Sequence, residues 1–274
     1  LKEERVDGVV IDLRNNGGGS LSEANALTGL FIKTGHTVQV KNARDQVKIL
    51  KDGDPEVTYD GPLAVIVNRL SASASEIFAG AIQDYQRGLI IGGQTFGKGT
   101  VQTLSPLKQG QLKITQAKFY RISGESTQHK GVVPDIQLPS IIDASEIGED
   151  ALEDALPWDT IRPVLFKKVG NTQFMLEELK QRHLSRIQQS PDFVYRLSQI
   201  ERVEEIRHKT LISLKESVRI QEEQESKQWR LENENRRRLA KGLSAITSLD
   251  ELEETDEEDP EDPYLVESGH ILHD

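Results

Sequence analysis

The chain has 274 residues, and its net charge of −11 is unevenly distributed along the sequence. Twelve of the 45 acidic residues lie in residues 242–274, which contain no Lys or Arg, so the rest of the chain is nearly neutral. The absence of cysteine excludes disulfides, thiol catalysis and thiolate metal ligands. No stretch is long and apolar enough for a membrane-spanning helix, and no basic stripe with interleaved aromatic residues indicates nucleic-acid binding.

The first residues resemble the interior of a domain rather than its start. The chain begins with Leu1 instead of Met and enters a core-like strand, GVVIDLR at 8–14, almost at once. We therefore expect a fragment whose N-terminal part is missing. The glycine turn NNGGGS and a helical pattern, LSEANALTGLFI, follow this strand.

Strand and helix patterns alternate from there towards residue 140. A hairpin is predicted at 37–50, and the buried strand PLAVIVN at 62–68 precedes a serine-rich stretch and a helix. LIIGG at 89–93 is a further buried strand, and a glycine-rich loop and the β-rich segments VQTL and KITQAKFYRI follow it. This alternation predicts an α/β fold with at least partly parallel strand pairing.

The second half of the chain has a different composition. We predict four parts: residues 1–140 as the α/β core, 141–171 as a linker, 172–243 as a helical domain and 244–274 as an acidic, disordered tail. Ser190 followed by Pro191 is a typical helix start. The later part of the helical region is polar almost all round, which is typical of a solvated extension or of a strut packed thinly on another part of the protein.

The segment SASASEIFAG at 71–80 places three serines before a helix whose apolar residues have helical spacing. Ser73 lies at the junction of the PLAVIVN strand and this helix, where unpaired N–H groups and the helix dipole favour negative charge. An oxyanion formed there could accept hydrogen bonds from the amide of Ala74 and from the NNGGG turn at 15–19. The alternative is that the serines only cap the helix.

A second candidate is the loop TFGKGTVQ at 95–102, in which Lys98 stands between two glycines. Burial would favour the uncharged amine, which could then act as a general base. A phosphate-binding interpretation of this loop fails because Gly99 stands where Ser or Thr is required and a strand pattern follows. G-x-S-x-G is absent, and among the histidines His129 is the least implausible base.

Four motifs together resemble one family. VIDLRNNGGG, SASASEIFAGAIQDY, TFGKGTVQ and KGVVPD occur in the order and spacing typical of the C-terminal processing, or tail-specific, serine peptidases. The resemblance covers roughly residues 6–137, and the helical region is similar to an extension that shorter family members lack. It implies a crotonase-like (ClpP/crotonase) α/β peptidase core followed by a long, mostly α-helical extension, without a metal or cofactor.

The same resemblance implies roles for individual residues. Ser73 would be the nucleophile, Lys98 the general base and Gln102 the residue that orients the lysine. The backbone N–H groups of Gly19 and Ala74 would form the oxyanion hole.

Asp84 matches an acidic position that the family assigns to the charge relay. It lies three helical turns from Ser73, about 16 Å along the same helix, which is too far for contact with the hydroxyl. A structural ion pair with Arg87 is the alternative. Leu70 stands where many relatives have glycine, which affects the geometry of the turn.

The function that the resemblance implies is a serine endopeptidase that degrades or processes proteins from nonpolar C-termini through an acyl-enzyme. Its substrates would include cell-wall hydrolases, its PDZ domain would lie in the missing N-terminal part, and a tetratricopeptide lipoprotein would be its adaptor. The location would be the periplasm of a Gram-negative bacterium, free or peripheral on the inner membrane. The alternatives are a crotonase-like acyl-CoA enzyme and a non-catalytic scaffold that acts through the helical extension.

Overall fold

Strands and helices alternate along the first half of the chain, as the sequence predicts. The computed structural model describes residues 6–254 and 262–274. Within them the strands are β1 (Val9–Asp12), β2 (Gly35–Asn42), β3 (Val47–Asp52), β4 (Leu63–Val67), β5 (Leu89–Gly92), β6 (Thr100–Pro106), β7 (Gln111–Tyr120) and β8 (Ile136–Gln137). The helices are α1 (Leu21–Gly29), α2 (Ala74–Asp84), α3 (Leu176–Gln189), α4 (Pro191–Arg207), α5 (Glu216–Ala240), α6 (Glu251–Glu254) and α7 (Pro263–His273). None of these helices has the length and apolar character needed to cross a membrane.

The chain forms two compact units. Unit 1 contains Leu1–Lys180 and Glu267–Asp274, and unit 2 contains Gln181–Val266. These bounds differ from those of the predicted domains, because unit 1 extends past residue 140 and includes the last residues of the chain. The predicted fold class, an α/β part followed by a mostly helical region, is confirmed.

The first sheet of unit 1 is entirely parallel and has the strand order β1-β4-β5-β8. β4 and β5 are buried along their whole length, which explains why their sequences are continuous apolar runs. Phe78 and Ile82 of α2 belong to the same core cluster as Val65 and Ile90 of this sheet. Because parallel strands end at the same edge, the turns after β1, β4 and β5 are neighbours.

The second sheet is antiparallel and has the order β3-β2-β7-β6. The hairpin predicted at 37–50 is confirmed as the β2–β3 pair, with Asp45 at a positive φ of 59° in its turn. β6 follows the glycine-flanked lysine and pairs with β7. The register of this pair shifts between Val101 and Gln102, where Gln116 of β7 has no partner on β6.

The segment 141–171, predicted as a linker, contributes to the core of unit 1. Val164 and Phe166 pack against a buried cluster of Ile32, Tyr85 and Ile122. The rings of Tyr85 and Phe166 meet edge to face, with centroids 5.5 Å apart. This segment therefore buries apolar side chains, although it has almost no regular secondary structure.

In unit 2 the polar helix α5 packs on α4. Ser190 caps α4 by accepting a hydrogen bond from a backbone N–H of its first turn, and Pro191 is the first helical residue, as predicted. The hydroxyl of Ser198 donates to the buried side-chain oxygen of Asn233 at 2.9 Å. Arg237 forms ion pairs with both Asp192 and the buried Glu234. Because α5 offers little apolar surface, polar contacts hold it against α4.

The predicted disorder of residues 244–274 is wrong for the last part of the chain. Residues 263–273 form α7, in which Ser268 and Ile271 are buried. The side chain of Leu272 lies beside β1, only 2.6 Å from the position that a Cβ on Gly8 would take. The prediction weighted the acidic residues and overlooked the apolar residues of YLVESGHIL. The centre of the acidic run, residues 255–261, lies outside the described residues.

Candidate active site

The three serines after β4 have different environments. The hydroxyl of Ser71 is buried and donates to the carbonyl of Leu13 at 2.7 Å. The hydroxyl of Ser75, also buried, donates to the carbonyl of Asn16 at 3.0 Å. Ser73 is partly exposed and immediately precedes α2. Two serines therefore attach the turn to the segment that follows β1, and Ser73 is the one that is partly exposed to solvent.

The backbone of Ser73 has φ 58° and ψ −112°, a conformation that residues other than glycine rarely adopt. Its N–H donates to the side chain of Glu76 at 2.7 Å, and its carbonyl accepts from the N–H groups of Glu76 and Ile77. The first turn of α2 therefore fixes this strained residue from both sides. Strain of this kind is typical of a functional position.

The glycine turn after β1 contacts the serine turn, as the parallel sheet predicts. Gly18 has φ +94°, and a Cβ there would lie 2.5 Å from the carbonyl oxygen of Ala72 and 2.8 Å from the nitrogen of Ala74. The N–H of Ala72 also donates to the carbonyl of Asn16 at 3.0 Å. Gly19, the predicted oxyanion donor, is the next residue and is exposed. The close approach of the two turns depends on Gly18, and the role of Gly19 stays a prediction.

The lysine loop, residues 95–99, joins the serine turn through the carboxylate of Glu76. Oε2 of Glu76 accepts hydrogen bonds from the backbone N–H groups of Ser73 (2.7 Å) and Lys98 (3.0 Å). Oε1 accepts from the hydroxyl of Thr95 (2.6 Å) and the N–H of Gly97 (2.7 Å). This carboxylate is fully buried. A single side chain thus holds the backbones of the two predicted catalytic residues.

Burial raises the pKa of Glu76 to about 7, although the hydrogen bonds from Thr95, Gly97, Ser73 and Lys98 act in the opposite direction. The sequence motifs did not select this residue. A signal was present, because Ser73 followed three positions later by Glu76 is the capping-box pattern, in which the glutamate returns to the N-cap N–H.

The glycines of the lysine loop permit close contact with the segment around His129. Gly97 has φ +90°, and a Cβ there would lie 2.6 Å from the carbonyl oxygen of His129. A Cβ on Gly99 would lie 2.7 Å from the nitrogen of Gln128. The N–H of His129 donates to the carbonyl of Gly97, and the N–H of Gly99 donates to Oε1 of Gln128. The backbone of His129 therefore supports the loop that carries Lys98.

Gln102 lies on β6, just after the shift in register with β7, and is exposed. Its side-chain nitrogen donates to the hydroxyl of Thr115 across the β6–β7 pair at 3.3 Å. Its assignment as the residue that orients Lys98 stays a prediction.

Asp84, at the end of α2, forms an ion pair with Arg121. The two side chains are largely buried and make two contacts, Nη2 to Oδ1 at 2.5 Å and Nε to Oδ2 at 3.2 Å. The alternative partner, Arg87, instead donates to two backbone carbonyls. The expected pairing with Arg87 is therefore wrong. Arg121 follows β7, and the sequence near α2 gives no sign that this strand ends beside it.

Two family models match the chain. Residues 1–138 match peptidase family S41, and residues 142–274 match the C-terminal domain of tail specific protease (DUF3340). The chain is 43% identical over 263 residues to the tail-specific protease of Haemophilus influenzae, which covers 91% of this chain and 38% of that protein. It is also 43% identical over 138 residues to the carboxy-terminal-processing protease of Bartonella bacilliformis, covering 50% of this chain and 32% of the relative.

Among solved structures, the photosystem II D1 C-terminal processing protease is similar, with 37% identity and a TM-score of 0.46. The match covers 52% of this chain and 38% of that one. The chain thus spans less than two-fifths of the length of these relatives.

Proposed function

Because the chain belongs to peptidase family S41, we propose that it carries the serine–lysine site of a C-terminal processing peptidase. The observation that supports this proposal best is the Glu76 carboxylate, which binds the backbone N–H groups of both Ser73 and Lys98. Two residues that are 25 positions apart in the sequence are thereby tied to the same buried group. The strained, partly exposed backbone of Ser73 supports its assignment as the nucleophile.

In the proposed mechanism the neutral amine of Lys98 takes the proton of the Ser73 hydroxyl, and the oxygen attacks a peptide carbonyl. The oxyanion accepts hydrogen bonds from the N–H groups of Ala74 and Gly19. Lys98 returns the proton to the leaving amine, and water then hydrolyses the acyl-enzyme with the same lysine as base.

Two further residues have supporting roles in this proposal. Gln102 orients the amine of Lys98. Its position on β6, four residues after the lysine, supports this role. Asp84 is a positioning residue, because its ion pair with Arg121 connects the end of α2 to the segment after β7. Neither role requires a metal or cofactor.

The substrates that we propose are proteins with nonpolar C-termini, including cell-wall hydrolases. Their recognition is assigned to a PDZ domain elsewhere in the polypeptide, and their delivery to a tetratricopeptide lipoprotein adaptor. The proposed location is the periplasm of a Gram-negative bacterium, free or peripheral on the inner membrane. The 43% identity to a tail-specific protease of Haemophilus influenzae supports this assignment.

The test uses the complete protein with S73A, K98A and, as a control, K108A, which changes an exposed lysine in the β6–β7 turn. We expect S73A and K98A to lose peptidase activity by at least about 10³-fold, since each removes a partner of one proton transfer. K108A should retain activity. Peptidase activity that persists in S73A and K98A would contradict the proposal.

The same proteins separate the alternatives. A fluorophosphonate probe should label Ser73 of the wild type, as located by mass spectrometry, whereas an acyl-CoA enzyme would leave this serine unlabelled. A scaffold would lose partner binding when residues 172–274 are removed and would be unaffected by S73A.

A further inference from the structure

Residues 144–150, which we call the strap, contact the lysine loop although they lie beyond the residues that match peptidase family S41. Arg69, in the turn between β4 and Ser73, connects the two. Its side chain is only 3% exposed. The guanidinium donates to the carbonyl of Thr95 in the lysine loop at 2.8 Å and to the carbonyl of Ile147 in the strap at 2.5 Å.

Further residues of the strap contact this guanidinium. Nη2 of Arg69 also donates to the carbonyl of Ala144 at 2.9 Å and forms an ion pair with Asp150. Gly148 lies directly against the arginine, since a Cβ there would come within 2.1 Å of Nη2. Its φ of +142° also favours glycine. The strap is thus shaped to fit one buried side chain.

A second set of contacts involves Glu149. Its N–H donates to the carbonyl of Phe96 at 2.9 Å. Its carboxylate accepts from Nε2 of Gln128 at 3.0 Å, and Oε1 of the same glutamine accepts from the N–H of Gly99 at 2.9 Å. Gln128 is fully buried. The strap therefore reaches the lysine loop both before and after Lys98.

We propose that the strap is a positioning element that holds the lysine loop in the register needed for the Ser73–Lys98 proton transfer. This inference rests on the proposed function. A loop with glycine on both sides of the lysine has high backbone freedom, and a misplacement of about 1 Å can reduce the rate by about 10²-fold. Glu76 binds two N–H groups of the loop. The strap binds the Phe96 carbonyl directly and acts on Gly99 through Gln128.

The experiment compares E149A, E149Q and the control E153A in the complete protein. Glu153 is exposed and lies just beyond the strap. We expect E149A to reduce kcat about 10- to 100-fold while KM changes less than about twofold, because the lysine is displaced and substrate binding is retained. E149Q keeps an oxygen that can accept from Gln128, so it should restore kcat to within about threefold of the wild type. E153A should behave as the wild type.

Hydrogen exchange gives a readout that does not depend on activity. The Gly99 N–H should exchange faster in E149A than in the wild type, E149Q and E153A. Unchanged exchange at Gly99 in E149A would overturn the proposal. An E149A enzyme with normal kcat, or a loss of kcat that E149Q shares, would overturn it as well. If K98A stays active, the serine–lysine mechanism fails by that result alone, while the exchange data still show whether the strap holds the loop.

Discussion

Glu76 is the residue that joins the serine turn and the lysine loop of the candidate site. Four donors surround its carboxylate, and two of them belong to the backbones of Ser73 and Lys98. Hydrogen bonds of this kind favour the ionised form, whereas complete burial favours the protonated form. Burial dominates, and the pKa of Glu76 is raised to about 7. Its protonation therefore changes in the neutral range rather than near pH 4.5.

A pH dependence of stability follows from this shift. In the unfolded chain Glu76 ionises near its ordinary pKa of 4.5, whereas in the folded chain it keeps its proton up to about pH 7. The folded state thus binds more protons in this window, so the contribution of Glu76 to stability falls as the pH rises through it.

We test this with E76Q, which cannot titrate. From pH 5 to pH 8 the free energy of unfolding of the wild type should fall by about 3 kcal/mol relative to E76Q, as measured by urea denaturation. A difference between the two proteins that is constant over this range would show that the carboxyl ionises at its ordinary pKa.

At the scale of elements, two turns at one edge of the parallel sheet form the site. β1 and β4 are adjacent, so the glycine turn and the serine turn leave the sheet side by side. Their contact leaves no room for a side chain at residue 18, because a Cβ would lie 2.8 Å from both the Ala74 nitrogen and the Ser73 Cβ. The predicted oxyanion donors, Gly19 and Ala74, lie at this contact, one from each turn.

G18A should therefore separate the two turns. We expect it to reduce peptidase activity at least about 10-fold and to lower the melting temperature, since alanine is strained at φ +94° and clashes with backbone atoms. G17A is the matched control, because no atom lies within 4 Å of the position that a Cβ on Gly17 would take. Equal activity of G18A and G17A would show that the approach of the turns is unimportant for catalysis.

The sequence predicts the elements well and their partners less well. Continuous apolar runs predicted β4 and β5, and short motifs indicated Ser73 and Lys98 as candidates. Each of these patterns lies within a few neighbouring residues, so the sequence shows it directly. Strand order and long-range pairs depend on how distant segments meet. The partner of Asp84 is an arginine 37 residues away, and no local pattern distinguishes it from Arg87.

At the scale of the whole molecule, unit 1 is assembled from more than the residues that match peptidase family S41. Residues 141–171 have few helical or strand signals, and the sequence therefore predicted a linker. This segment nevertheless packs into the core, since the ring of Phe166 meets that of Tyr85 edge to face. Its backbone is held as well, because the N–H of Val164 donates to the carbonyl of Ile122. Composition alone does not show that an irregular segment contributes to a core.

The packing of this segment can be tested with two phenylalanines. F166A should lower the free energy of unfolding by about 2 kcal/mol, since it removes a half-buried ring from the cluster with Tyr85. F174A, whose ring is 86% exposed, should change it by less than about 0.5 kcal/mol. Chemical denaturation of both variants provides the comparison. Similar stability of the two variants would mean that residues 141–171 act only as a spacer.

The positive φ of Ser73 lowers the stability of the folded chain at the position of the proposed nucleophile. Alanine would remove the hydroxyl and leave the unfavourable backbone geometry in place, whereas glycine would remove both. The S73G variant should therefore have a higher free energy of unfolding than the protein with Ser73. Under the proposed function, the hydroxyl of the nucleophile therefore occupies a backbone position at which glycine would be more favourable for folding.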